Sequence, residues 1–167
     1  MNYTTFDKFQ KFATKKGVAD IADRHRERGL PTTKFKERYK RYAKASVFIG
    51  EPTTELNDEP VGMEVEFVMI SAAQPDSNSQ ALRIRLFYQA QAEGDAVVTL
   101  FSRAPNGTVE TATLKTLADG SVNIIARAGH DYLLDYVKLR ELDPQSDRRG
   151  AVWDSLWASL TFSGPKG

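Results

Sequence analysis

Two histidines and no cysteine limit what these 167 residues can catalyse or coordinate. Without a thiol there is no thiolate metal site, no cysteine nucleophile and no disulfide framework. His25 lies in the charge run Asp23-Arg24-His25-Arg26-Glu27-Arg28, where a solvated side chain is expected. His130 is more suggestive, because Gly129-His130-Asp131 sets a carboxylate beside it at the start of a strand. His130 and Asp131 are therefore candidate metal ligands or a proton carrier with its neighbour; the alternative is a surface or turn role. Adjacent strand residues point to opposite faces, so Asp131 need not orient His130. A Ser-His-Asp triad needs a serine placed by the fold, and no G-x-S-x-G elbow occurs. No H-x-H or H-E-x-x-H spacing marks a metal site. The acidic groups Glu55/Asp58/Glu59 and Asp143/Asp147 can attract hard cations, but neither has the ligand spacing of a calcium loop. Trp153 and Trp157, four apart, could form an exposed sugar-stacking platform, or pack into a core if Trp157 begins the last strand. There is no phosphate-binding glycine loop, and the inventory supports no enzyme.

The elements that position these residues fall into two stretches. Phe6, Phe9, Phe12 and Ala13 recur at helical spacing among Lys8, Lys11, Lys15 and Lys16, and Gly17 is the natural stop. A second, polar helix begins at Val18 and ends at Gly29. After Leu30-Pro31, Thr32 or Thr33 can cap a third helix through Lys34–Lys44, with Phe35, Tyr39 and Tyr42 on one face. Its like charges four apart, Lys34/Arg38 and Lys36/Lys40, weaken it, so packing of the aromatic face has to hold it. From Ala45 the period changes to two. Short strands are expected at Val47-Phe48-Ile49, Val61–Ile70, Leu82–Tyr88, Val97–Phe101, Val109–Leu117, Val122–Ile125, Tyr132–Leu139 and Trp157–Phe162. Pro105-Asn106-Gly107 and Asp119-Gly120 read as hairpin turns, and Gln74–Ser79 as a turn cluster. Seven or eight strands with no intervening helical pattern predict a mainly β fold, an antiparallel β-sandwich preceded by two or three short helices. The domains are then a basic helical segment, 1–45, and a sandwich, 46–167.

Charge divides at the same place. Residues 1–45 hold 13 Lys+Arg against 5 Asp+Glu, while 46–167 hold 10 against 17, so a near-neutral chain conceals +8 and −7. Basic residues interleaved with aromatics can bind nucleic acid. However, the acidic remainder of the chain is a ready partner for them and disfavours a polyanion, so no nucleic acid is expected. The Phe6/Phe9/Phe12 stripe against lysines would also suit a membrane surface, but serves equally as a core seam. No apolar run is long enough to span a bilayer, and the first residues lack the basic and apolar regions of a signal peptide.

The segment Lys36-Glu37-Arg38-Tyr39-Lys40-Arg41-Tyr42-Ala43-Lys44-Ala45 resembles the RYxRYAKA signature of a bacterial periplasmic family of unknown function. That family is often labelled a nickel- or cobalt-transport periplasmic component. Trp153-Asp154-Ser155-Leu156-Trp157-Ala158-Ser159-Leu160-Thr161-Phe162 is similar to its closing W-x-S-x-W-A-S-L-T-F strand. The helix–Gly–helix stretch Phe9–Gly29, the turn Thr116–Gly120 and the segment Gly129–Leu134 fit as well. The resemblance implies a periplasmic protein with a transthyretin- or immunoglobulin-like sandwich and a binding role tied to nickel or cobalt uptake or handling. It implies an envelope transport component or another protein as partner, and leaves homo-oligomerisation open. Full-length members begin with a signal peptide and a β-rich front portion that carries an early His and Trp. This chain resembles the part that follows, or a shortened member. No metal ligand of the family maps onto it; Tyr39, Tyr42, Lys44, Trp153 and Trp157 are expected as structural anchors.

Overall fold

A computed structural model describes residues 1–47, 56, 58–76, 78–143, 145 and 147–165. The fold is mainly β: two short helices near the N-terminus and antiparallel sheets arranged as an open β-sandwich. Among the described residues the order is β1 (Asn2–Tyr3), α1 (Phe6–Lys15), α2 (Ile21–Glu27), β2 (Phe35–Ala45), β3 (Val65–Asp76), β4 (Ser79–Tyr88), β5 (Gln91–Ala92), β6 (Val97–Arg103), β7 (Val109–Lys115), β8 (Ser121–Arg127), β9 (Asp131–Glu141) and β10 (Ala151–Ser163). One sheet runs β1-β2-β10-β9-β6-β7; in the other, β4 is flanked by β3 on one side and by β5 and β8 on the other. No helix among the described residues is long and apolar enough to cross a membrane.

The chain divides into two compact units, Met1–Arg41 with Val137–Trp157, and Tyr42–Tyr136 with Ala158–Gly167. The breakpoints fall inside β2, β9 and β10, so the basic segment does not stand alone: it shares a core with residues from the C-terminal third. In this helix-bearing unit α1 buries Phe9 and Ala13, and Gly17 ends the helix at φ +84°. Those two side chains join Ile21, Phe35, Leu139, Val152 and Trp153 in one buried cluster, with Tyr3, Phe6, Phe12, Val18 and Leu30 packed against it.

The third expected helix is a strand. In β2, Phe35 and Glu37 are buried while Lys36 and Arg38 are not, a period of two. The like charges four apart that weaken a helix acquire partners in the extended form. Arg38 reaches Asp154, and Lys36 Nζ donates to the Arg149 carbonyl at 2.8 Å. Strand geometry also lets Glu37 enter the interior beside Phe35, which a helix with Phe35, Tyr39 and Tyr42 on its buried face would not. The acidic partners expected for the basic segment are present within this unit, as Glu141 for Arg24 and Arg28 and as Asp154 for Arg38.

In the sandwich unit β4 alternates as expected, burying Leu82, Ile84 and Leu86. These form a core with Val98, Val122, Ile124, Tyr132, Leu134, Leu160 and Phe162. β3 is different: Val65 to Met69 are all buried, Glu66 included. Glu66 accepts from the backbone N–H groups of Val61 and Gly62 at 3.0 and 3.1 Å, which is how a carboxylate is accommodated there. The Asn106-Gly107 turn joins β6 and β7 as a hairpin. The last strand is longer than expected and starts at Ala151, so Trp157 lies in its middle. The expected strand Val47-Phe48-Ile49 falls, beyond Val47, outside the described residues, as does Ser77 of the Gln74–Ser79 turn.

The Asp119-Gly120 turn is not a hairpin. β7 pairs with β6 and β8 with β4, so this turn carries the chain from one sheet to the other. Asp119 fixes the corner by accepting from Ser121 Oγ, Arg83 and Arg85, and these bonds, Ser121 foremost, hold its carboxyl down at about 2. Gly120 adopts φ +77°, and a Cβ there would stand 2.9 Å from the Leu86 carbonyl oxygen and 3.0 Å from the Glu93 nitrogen. Gly120→Ala is expected to cost about 1–3 kcal/mol through left-handed strain and backbone crowding, read as a lower urea midpoint. Gly107→Ala, with no atom within 4 Å of its added Cβ, should cost less.

Candidate functional site

His130 and Asp131 lie side by side at the start of β9 but are not paired. The Ala128 carbonyl can only accept, so at 3.0 Å the His130 Nδ1–H donates to it, and in the neutral ring Nε2 holds the lone pair. The half-buried ring stacks on Tyr132 at 6.3 Å and 24°. Asp131 turns elsewhere: Arg103 donates to its Oδ2 at 2.7 Å and Ser163 Oγ to its Oδ1 at 2.8 Å. The Arg103 guanidinium, seconded by Ser163, holds that carboxyl below the usual range. Asp131 also helps line a groove of about 540 Å³ in the sandwich unit, with Phe101, Val109, Leu133 and Phe162.

Among the described residues no three His, Asp or Glu side chains come together as a metal-binding group. Of the acidic runs, Glu55 lies outside the described residues, Asp58 is taken up by Lys44 Nζ at 2.6 Å, and Asp147 accepts from the Arg149 and Ala151 backbone. Neither histidine has a hydroxyl or carboxylate partner among the described residues, so neither is set up as the base of a triad.

The expected anchors have separate fates. Trp153 is fully buried, which removes the sugar platform. Trp157 is half-buried, stacked on Phe12 at 5.5 Å, with Lys16 and Arg41 at 5.2 and 5.4 Å from its ring. Tyr39 is 47% exposed and makes a poor anchor; its ring carries the Arg41 guanidinium at 5.4 Å. Tyr42 is half-buried and donates to Glu64 at 3.0 Å. Lys44 ties the segment before β3 to the sandwich unit through Asp58 and the Glu59 carbonyl.

Sequence reasoning missed the polar interior of the helix-bearing unit. His25 is not solvated but 0% exposed, enclosed by Phe6, Phe9, Phe35 and Trp153. Its position on α2 puts it on the face shared with Ile21 and Ala22, the buried side of that short helix. The Trp153 indole donates to its Nδ1 at 3.0 Å, and Nε2 lies 3.0 Å from the Pro31 carbonyl. Glu37, 2% exposed, accepts from Tyr3 Oη at 2.7 Å and from Ser155 Oγ, and burial raises its carboxyl above the ordinary value. Asp154, 0% exposed, receives Arg38 through Nε and Nη2 at 3.0 and 2.9 Å and Arg140 through Nε at 3.1 Å. The signal was present as spacing of two: Phe35/Glu37 and Trp153/Ser155/Trp157 are strand faces.

No family model, curated protein or solved structure matches the chain.

Proposed function

We propose that this chain is a non-enzymatic binding or accessory module of a bacterial cell envelope, periplasmic, and linked to the uptake or handling of nickel or cobalt. The end motifs that carry the resemblance meet through their own residues. Arg38 bonds Asp154, and Glu37 bonds Ser155, although 116 and 118 residues separate them. Those motifs are thus bound up in structure, which fits a module whose motif residues hold a shape instead of turning over a substrate. The metal reading is carried by one observation: His130 donates its Nδ1 proton to a backbone carbonyl, the arrangement that presents Nε2 to a metal. Asp131, committed to Arg103 and Ser163, adds little, so a single imidazole would bind weakly and prefer nickel, copper or zinc over magnesium or calcium. The test is calorimetric titration with nickel, cobalt, copper and zinc. Weak but saturable binding that is lost in His130→Ala supports the reading; heat that survives this substitution removes His130 from the site.

The groove favours a second reading, a structural or adhesion-type sandwich that recognises protein or carbohydrate without metal. Its aromatic and aliphatic lining beside an Arg–Asp pair suits such ligands. A total absence of metal binding leaves this reading, and Phe101→Ser should then weaken capture of the ligand without lowering the melting temperature by more than a few degrees.

A further inference from the structure

We propose that His25 is an acid-sensitive latch: neutral, it fastens α2 to β10 and to the loop before β2, and a second proton on its ring releases α1 and α2 from β2 and β10. The geometry assigns one role to each ring nitrogen. An indole N–H can only donate, so Nδ1 must accept from Trp153; Nε2 then carries the proton and donates to the Pro31 carbonyl. A further proton has only Nδ1 to occupy, where the Trp153 N–H already points at it from 3.0 Å. Two donors cannot share that line, and both rings are 0% exposed, so neither can turn to water in place.

Among the described residues, nothing packed around the ring compensates an imidazolium. On its own helix and at its caps, Arg24 and Arg28 stand 5.2 and 4.9 Å from the Trp153 ring centre and add positive charge, while Asp20 and Asp23 are exposed and face Arg24 and Arg26. Glu141 on β9 is taken by Arg24 and Arg28, and Asp154 on β10 by Arg38 and Arg140. Glu37 on β2 is bonded to Tyr3 and Ser155. α1 presents the rings of Phe6 and Phe9, with Asp7, Lys8 and Lys11 exposed. Cation–π attraction from the tilted Phe6 and Phe35 rings returns part of the cost but supplies no acceptor. Burial first, then the Arg28 charge, push the imidazole below its ordinary value against the pull of the Pro31 carbonyl.

The direction follows from linkage. The unfolded chain takes up the His25 proton near the ordinary value of about 6.5, and the folded unit only at lower pH. Stability is complete above about pH 6.5, and the folding constant falls about tenfold per pH unit below it until the folded value is reached. Glu37, raised by burial, works the other way as pH drops towards the ordinary carboxyl range. Glu37→Gln should therefore steepen the acid loss.

The experiment uses the full chain carrying Trp157→Phe, so that Trp153 alone reports. Its urea midpoint should hold from pH 8 to about 6.5 and then fall towards pH 5 in proportion to the logarithm of that tenfold-per-unit change, its emission should move to the red, and a dye that binds exposed apolar surface should brighten as Phe6 and Phe9 are uncovered. His25→Gln keeps an acceptor for the indole and a donor for Pro31 without titrating, and should leave the midpoint flat across the same range. If that variant does not fold, proton-coupled nitrogen spectra of the unsubstituted chain decide. A bare Nδ1 that persists well below pH 6.5 supports the latch. An imidazole that titrates near 6.5 with Trp153 emission unchanged overturns it, as does a His25→Gln protein that loses stability on acidification as the parent does.

Discussion

Trp153→Ala is expected to lower the stability of the helix-bearing unit by about 3–5 kcal/mol, the range for emptying a large aromatic site in a packed core. Trp153 is completely enclosed, lies 5.5 Å from Phe9 between ring centres, and shares its cluster with Ile21, Phe35, Leu139 and Val152. Truncation also strands the His25 Nδ1, which has no other donor facing it among the described residues. At about 2–4 °C per kcal/mol for a chain of this length, the melting temperature should drop by roughly 6–20 °C. Trp153→Phe separates the two contributions, since it keeps most of the ring area and removes only the donor, at about 1–3 kcal/mol. Trp157→Ala is the comparison. That ring is half-buried and held by Phe12, Lys16 and Arg41 at the edge of the unit, so its loss should cost less than half as much. Thermal melts followed by circular dichroism check the order Trp153→Ala, then Trp153→Phe and Trp157→Ala, with Tyr39→Ala close to the parent. Equal losses for the two tryptophans would mean that burial is not what distinguishes them.

What the sequence reveals of this fold, and what it hides, has a physical pattern. Period-two segments bounded by turn residues identify the sandwich strands, because each exposes one polar face. β4 is the plainest case, with arginines alternating against Leu82, Ile84 and Leu86. Where a strand is short of apolar residues the signal reverses. Residues 35–45 carry aromatics at intervals compatible with a helix, and the deciding contacts come from Asp154 and Ser155, more than a hundred residues away. The Asp119-Gly120 turn shows the same limit, since local chemistry specifies a tight reversal but not which sheet receives the next strand. Of the candidate site, His130 and Asp131 were visible by residue type, yet their partners Ala128, Arg103 and Ser163 are set by the turn and by cross-strand register. His25 was hidden because a charge run suggests solvent, while α2 buries only the side that bears Ile21, Ala22 and His25.

That hidden interior gives the two histidines opposite characters. The His130 ring spends Nδ1 on the Ala128 carbonyl and keeps the Nε2 lone pair, which suits it to an external ligand. Both nitrogens of His25 are used internally, which suits it to fastening α2 and to sensing protons, not to an external ligand. Binding and acid response would then reside in different units of the chain, and substitutions at one histidine should leave the other's readout unchanged.

Asp154→Ala is expected to cost about 3 kcal/mol, the low end for breaking a buried ion pair by removing one partner. The carboxylate is fully enclosed and bonds two guanidiniums; deleting it leaves Arg38 and Arg140 facing each other with no shared anion. The loss stays at the low end because Arg38 is 42% exposed and can turn to water. The converse change is harsher. Arg38→Met with Arg140→Met strands a buried carboxylate, whose burial already opposes ionisation and is outweighed only by the bonds and charges of those two arginines. Because that balance holds the carboxyl below its usual range, the ion pair stabilises above about pH 4 and is lost as pH falls further. The urea midpoints of parent and Asp154→Ala should therefore converge on acidification below pH 4 while differing most near neutrality. Replacing all three residues with apolar ones of similar volume decides what the cluster is for. Burial of ions is often no more stabilising than a packed apolar substitute, so a triple variant as stable as the parent would assign the cluster to aligning β2, β9 and β10 in register. A triple variant weaker than Asp154→Ala alone would assign it to stability itself.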